Sequence, residues 1–109
     1  MTEEKTKFGA CTISKNLYTR ASDLKYCIRE APKTDLDSGW IFLTNIDTEE
    51  YLNNPENWVI VSFETVIEIE PAVLSIFNLP VGTDITLENK DGKRFFINTK
   101  SEKKLSLPD

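Results

Sequence analysis

Carboxylates carry most of the chemistry this chain could do. Asp35 and Asp37 stand two positions apart, and Asp47, Glu49 and Glu50 crowd into one short segment. Acids paired in this way can pass a proton or flank a scissile bond. No histidine occurs anywhere in the sequence. That removes Ser-His-Asp and Cys-His nucleophiles, a histidine general base and the usual catalytic zinc sites. No spacing among the acids marks a catalytic pair, and solvated loop and helix-cap acids account for them more simply. The D-x-D at 35–37 opens like a calcium loop, but no glycine or closing glutamate follows at EF-hand spacing. Glycines 9, 39, 82 and 92 are isolated, so no phosphate cradle is present. Cys11 and Cys27 lack C-x-x-C spacing and read as two reduced, half-buried thiols. A carboxylate enzyme or metal-binding protein is the minority reading, and neither a metal nor another cofactor is expected.

The charge is unevenly distributed. The formal net charge is −5, a poor match to a nucleic-acid binder, which needs clustered Lys and Arg against phosphate. Residues 34–89 carry eleven acids and no Lys or Arg, while residues 1–33 and 90–109 are each +3. Interspersed signs are the usual pattern of a purely solubilising surface. Two readings stand side by side. Either the basic ends fold back across the acidic middle, or the middle presents an acidic face that attracts a basic partner.

The elements that must position these residues fit one α+β domain over 1–97, followed by a polar, mobile tail over 98–109. Of 109 residues, 31 are Val, Ile, Leu or Phe, enough for a single core. Phe8 to Ser14 reads as a first strand. Leu24 to Arg29 follows, with Leu24, Tyr26 and Ile28 on one face, and the loop APKTDLDSG leads into the short apolar strand Trp40 to Leu43. Thr48 suits an N-cap, with Glu49 and Glu50 in a first turn where negative charge favours the helix dipole, and Asn53, Asn54 and Pro55 end that helix. Trp58 to Phe63 reads as a buried strand. Phe63, Val66 and Ile67 fit a helical turn leading to Pro71, the first position of a helix with apolar face Val73, Ile76 and Phe77. Asp84 to Glu88 and Arg94 to Ile97, joined around Asp91-Gly92, predict a C-terminal β-hairpin. The expected architecture is a curved, mostly antiparallel sheet with a few short helices on one side. The N-terminus has no signal-peptide core and no apolar run approaches membrane-spanning length, so the expectation is a cytoplasmic protein with no membrane contact.

Several segments, in order, resemble a known family. They are Gly9 to Lys15 (GACTISK), Ile28 to Pro32 (IREAP), the D-x-D-S-G-W-x-F string from Asp35 to Phe42 and D-x-x-x-Y at Asp47 to Tyr51. The series continues with the N-N-P turn, Ile67 to Leu74 (IEIEPAVL) and Leu79 to Gly82 (LPVG). Together they span roughly residues 8 to 97, and D-S-G-W and I-E-P are the most specific. The chain is similar to small bacterial domains classed among the immunity proteins of polymorphic toxin systems. That resemblance implies a non-catalytic protein that neutralises a toxin by binding it. Many toxins are nucleases with basic active sites, which an acidic inhibitor can cover.

Interface anchors favour Trp and Tyr within a polar surround. Trp40 and Tyr51 among Asp35, Asp37, Asp47, Glu49 and Glu50 therefore form the candidate partner-binding set. Against this, Trp40 enters an apolar strand directly and fits a core position, Tyr51 can pack its short helix onto the sheet, and Trp58 reads as core. The main alternative function is a structural or regulatory domain without a toxin. Oligomeric state stays open.

Overall fold

A computed structural model describes residues 8–106. Six strands form one open sheet in the order β4-β1-β3-β2-β5-β6: β1 Ala10–Ser14, β2 Leu24–Arg29, β3 Asp37–Thr44, β4 Trp58–Ser62, β5 Asp84–Lys90 and β6 Lys93–Asn98. Only β1 and β3 run parallel; every other neighbouring pair is antiparallel. Three short helices join them, α1 Lys15–Tyr18, α2 Glu49–Leu52 and α3 Phe63–Ile69, with 3-10 turns at Pro55–Asn57 and Pro71–Ile76. The fold is the expected α+β arrangement with its C-terminal hairpin.

Local chemistry explains the helix starts. Ser14, Thr48 and Ser62 each turn a side-chain oxygen onto an early helical N–H, of Leu17, Tyr51 and Thr65 respectively. The hairpin turns at Asp91 and Gly92, both with positive φ, the geometry that suits a tight two-residue loop.

The core lies on one face of the sheet. Cys11, Ile13, Trp40, Phe42, Cys27, Ile85, Leu87 and Phe96 point inward and meet Leu17 of α1, Phe63 and Val66 of α3, and Val73 and Ile76 of the second 3-10 turn. Trp40 and Phe42 stack with ring centroids 5.6 Å apart. Burying each such ring contributes about 2–3 kcal/mol.

Three strands differ from the sequence pattern, each for a visible reason. In β2 the register slips between Leu24 and Tyr26, which oppose the adjacent residues Thr44 and Leu43. This bulge reverses the alternation, so Leu24 and Cys27 are buried while Tyr26 and Ile28 share the opposite, half-covered face. β3 begins at Asp37, before the expected start, because the D-S-G segment forms an irregularity against β1 rather than a loop. Gly39 makes this possible. Its φ is +87°, and a Cβ there would stand 2.1 Å from the Glu30 carbonyl oxygen. Finally, β4 is not a buried strand. Among the described residues it is the outer edge, pairs only with β1, and has no fully buried residue.

The polar segment after residue 98 also takes on structure. Leu105 N–H donates to the Phe96 carbonyl at 2.9 Å, Asn98 N–H to that of Lys103 at 2.8 Å, and Ile97 bridges Lys104. Residues 99–105 thus return along the free edge of β6.

Candidate functional site

Strand direction divides the seven predicted partner-binding residues. β3 carries Asp37 at its first position and ends at Thr44, just before Asp47. At roughly 3.3 Å per residue, that separates the two acidic groups by about 20 Å. Asp35 and Asp37 lie at one end of the sheet. Asp47, Glu49, Glu50 and Tyr51 lie at the other.

Trp40 belongs to neither group. Its exposure is 0%, its ring stacks on Phe42, and its indole N–H donates to the Phe77 carbonyl at 3.2 Å. It cannot touch a partner without unfolding the core, so the candidate interface loses it. The even positions of β3 point inward, and Trp40 follows that alternation.

The remaining acids have two different functions. Asp37 accepts from the Lys33 N–H at 2.9 Å and the Gly39 N–H at 2.9 Å, so it holds the entry to β3. Asp47 accepts from the Thr44 N–H at 2.7 Å and the Asn16 side-chain amide at 2.8 Å, which ties the segment after β3 to α1. Both carboxylates anchor backbone. Asp35, Glu49 and Glu50 are exposed. Glu49 and Glu50 occupy the first turn of α2, where Thr48 caps the helix. Tyr51 is half-buried, and its carbonyl accepts from Asn57, bracing α2 against the turn that follows. The Trp58 indole N–H donates to the Leu52 carbonyl at 2.8 Å and braces α2 from the other side.

The α2 end has apolar members that composition did not single out. Ile46 is 49% exposed and Tyr18 45%. Tyr18 stands on α1, the helix bonded to Asp47 through Asn16. The available signal was Ser14 as an N-cap followed by Leu17, too short a pattern to separate from a strand end.

Ion pairing answers part of the charge question. Two of the eleven middle acids meet cations from the flanking segments, Glu88 with Lys25 at 3.1 Å and Glu70 with Arg94. Among the described residues, no salt bridge reaches Asp35, Asp37, Asp47, Glu49, Glu50 or Glu56. The two pairs line a cleft of about 620 Å³, together with Ser22, Asp23, Asn45 and Asn89. Its glutamates balance cations instead of sharing a proton, an arrangement that suits structure better than acid–base chemistry. Among the described residues no cluster of three or more His, Cys, Asp or Glu is placed to hold a metal ion, and no helix is long and apolar enough to cross a membrane.

Burial suppresses thiol chemistry. Both cysteines are free and buried. Desolvation pushes the Cys11 thiol up from its ordinary value near 9 to about 12, against a smaller opposing effect of its 3.6 Å contact with Ser38. Desolvation raises Cys27 further. Neither thiol offers a nucleophile near neutral pH.

The most specific sequence motifs prove to be scaffold. In D-S-G-W, Asp37 holds the turn, the Ser38 hydroxyl donates to the Ala10 carbonyl at 2.7 Å, Gly39 permits close approach and Trp40 fills the core. In I-E-P, Glu70 caps the Ala72 N–H at 3.0 Å and pairs with Arg94. What is left for function is a small open-sheet α+β domain whose accessible polar groups suit surface recognition. The chain matches the model of the Immunity protein Imm33 domain over residues 11–98 and belongs to that family. No curated protein and no solved structure matches it.

Proposed function

We propose that the protein is a non-catalytic immunity protein that neutralises a toxin by covering a basic surface of it with its own acidic one. Family membership is the observation that carries this reading. The charge pattern supports it: Glu49, Glu50 and Glu56 are exposed and make no salt bridge among the described residues. Ile46 and Tyr51, close to them in the chain, and Tyr18 on α1, which Asn16 ties to Asp47, supply the apolar contact that an interface needs within a polar rim. Asp47 serves by positioning, because it fixes α1 relative to the segment that leads into α2. Asp35 and Asp37 form a second acidic point at the far end of β3.

The test is growth rescue. Where a toxin domain is encoded beside this gene, cells expressing it should survive when the wild-type chain is co-expressed. Glu49→Lys, Glu50→Lys and Glu56→Lys together should abolish rescue and weaken the complex by roughly a hundredfold, since like-charge juxtaposition costs several kcal/mol. Unchanged rescue by a folded triple variant would sink the acidic-surface reading.

A further inference from the structure

The sheet has two edges, and they are treated in opposite ways. The β6 edge is covered by the return of residues 99–105, and Lys100, Lys103 and Lys104 lie along that return. Those are familiar devices against unwanted strand pairing. Among the described residues, none of them guards the β4 edge. Its sequence, WVIVS, contains no charge and no proline. Ile60, at its centre, is 76% exposed, the most exposed large apolar side chain among the described residues.

Hydrogen-bond alternation fixes which groups β4 offers. Phe63 N–H donates to the Gly9 carbonyl at 2.9 Å. With Ala10 opposite Ser62 and Thr12 opposite Ile60, the bonded pairs along this ladder are Phe63 with Gly9, Val61 with Cys11 and Val59 with Ile13. The N–H and C=O of Ile60 therefore point away from β1, toward open solvent. Thr12, Ile41 and Ile28 continue from Ile60 across the outer face of the sheet in register. The edge thus provides backbone partners and, at Ile60, an exposed apolar neighbour for the side chains of an added strand.

Charge selects the occupant. β4 begins just after Glu49, Glu50 and Glu56, and its last residue, Ser62, pairs with Ala10, which itself pairs with Asp37, so the other end lies toward Asp35 and Asp37. Lys15 is the cation next to the first end, following Ser14, which pairs with Trp58. A second copy docked antiparallel about Ile60 would bring one copy's acidic segment 49–56 toward the other copy's acidic end. We propose that the β4 edge accepts an extended strand of the toxin partner, apolar at its centre and carrying Lys or Arg at both ends. This rests on the toxin-binding reading above and specifies its docking mode. It also gives the two separated acidic groups one role, as the two ends of a single strand-docking edge.

The test uses full-length protein and two synthetic peptides, each with a central Val-Thr-Val-Thr-Val, one flanked on both sides by two lysines and one by two glutamates. Nuclear magnetic resonance should show the lysine peptide shifting the Trp58 to Ser62 amides and slowing exchange of the Ile60 amide, with the glutamate peptide binding at least roughly tenfold more weakly. Ile60→Pro removes the outward N–H without touching the β1 ladder and should reduce lysine-peptide affinity roughly tenfold or more. Lack of Ile60 protection by the lysine peptide, equal binding of the two peptides, or an Ile60 amide already protected in a dimer of the free protein would each overturn the proposal. In the rescue assay, loss of rescue with the lysine triple variant but full rescue with Ile60→Pro would overturn strand docking alone and leave the acidic-surface reading standing.

Discussion

Arg29 shows how much of the core is fixed by one side chain. Its guanidinium donates to the carbonyls of Ser38, Phe77 and Leu79 at 2.8–3.1 Å and lies 5.6 Å from the centre of the Trp40 ring. A cation with fixed planar donors closes carbonyls that would otherwise be left without partners where the second 3-10 turn ends. Beside it, Cys27 and Cys11 are buried neutral, and that has a measurable consequence. A thiol whose folded pKa is raised binds its proton more tightly in the folded state. The stability it contributes is complete below the unfolded value near 9 and is lost as pH rises toward the folded value, about 12 for Cys11. Between about pH 9 and pH 11, each buried thiol should steepen the loss of stability by up to about 1.4 kcal/mol per pH unit. Urea unfolding of wild type, Cys11→Ala and Cys27→Ala across that range checks this. Each alanine variant should show a shallower decline, whatever uniform cost its small cavity adds. Parallel curves for all three would refute the assignment.

At the scale of elements, β4 makes the sharpest claim. Val59 N–H faces β1, whereas Ile60 N–H faces out, so the same substitution at neighbouring positions should have unequal effects. Val59→Pro should cost about 1–3 kcal/mol more than Ile60→Pro, because it orphans the Ile13 carbonyl in the ladder. Chemical denaturation of the two variants gives the difference, and equal costs would mean the register is wrong. This asymmetry was invisible in WVIVS, because a continuous apolar run fits either a buried central strand or an edge strand packed on one face. Other elements were legible for good reason. The Asp91-Gly92 hairpin and the Thr48-capped helix depend on chemistry within a few residues, which the sequence displays directly. The phase of β2 was not, because the bulge between Leu24 and Tyr26 arises from pairing with β3, a tertiary event. The same holds for the site. The α2 acids could be located, but the separation of Asp35 and Asp37 from them depends on β3 running straight between the two groups.

The whole molecule carries its charge as an asymmetry across the sheet. The segment from 34 to 89, which supplies β3, β4 and nearly all of β5, has no Lys or Arg, while residues 90–104 place Lys90, Lys93, Arg94, Lys100, Lys103 and Lys104 at the β6 side. A net charge of −5 spread evenly would give a weak, undirected field; this arrangement gives a direction. On the proposed reading, a basic partner approaching from solution would be turned toward the β4 side and repelled from β6 before contact is made. Such steering acts on encounter, and its range is the Debye length, about 10 Å at 0.1 M salt and about 3 Å at 1 M. The backbone and apolar contacts of a docked strand act only after encounter and are far less screened. Raising sodium chloride from about 0.05 M to 0.5 M should therefore slow association with the toxin roughly tenfold or more and change dissociation much less. Stopped-flow fluorescence would separate the two rates. Replacing Lys100, Lys103 and Lys104 by glutamine, on the opposite edge, should leave dissociation unchanged and raise the association rate modestly, because it removes a repulsive region without altering a contact on the proposed docking edge. A salt dependence confined to dissociation would place the charges inside the interface, and steering by the molecule as a whole would then be wrong.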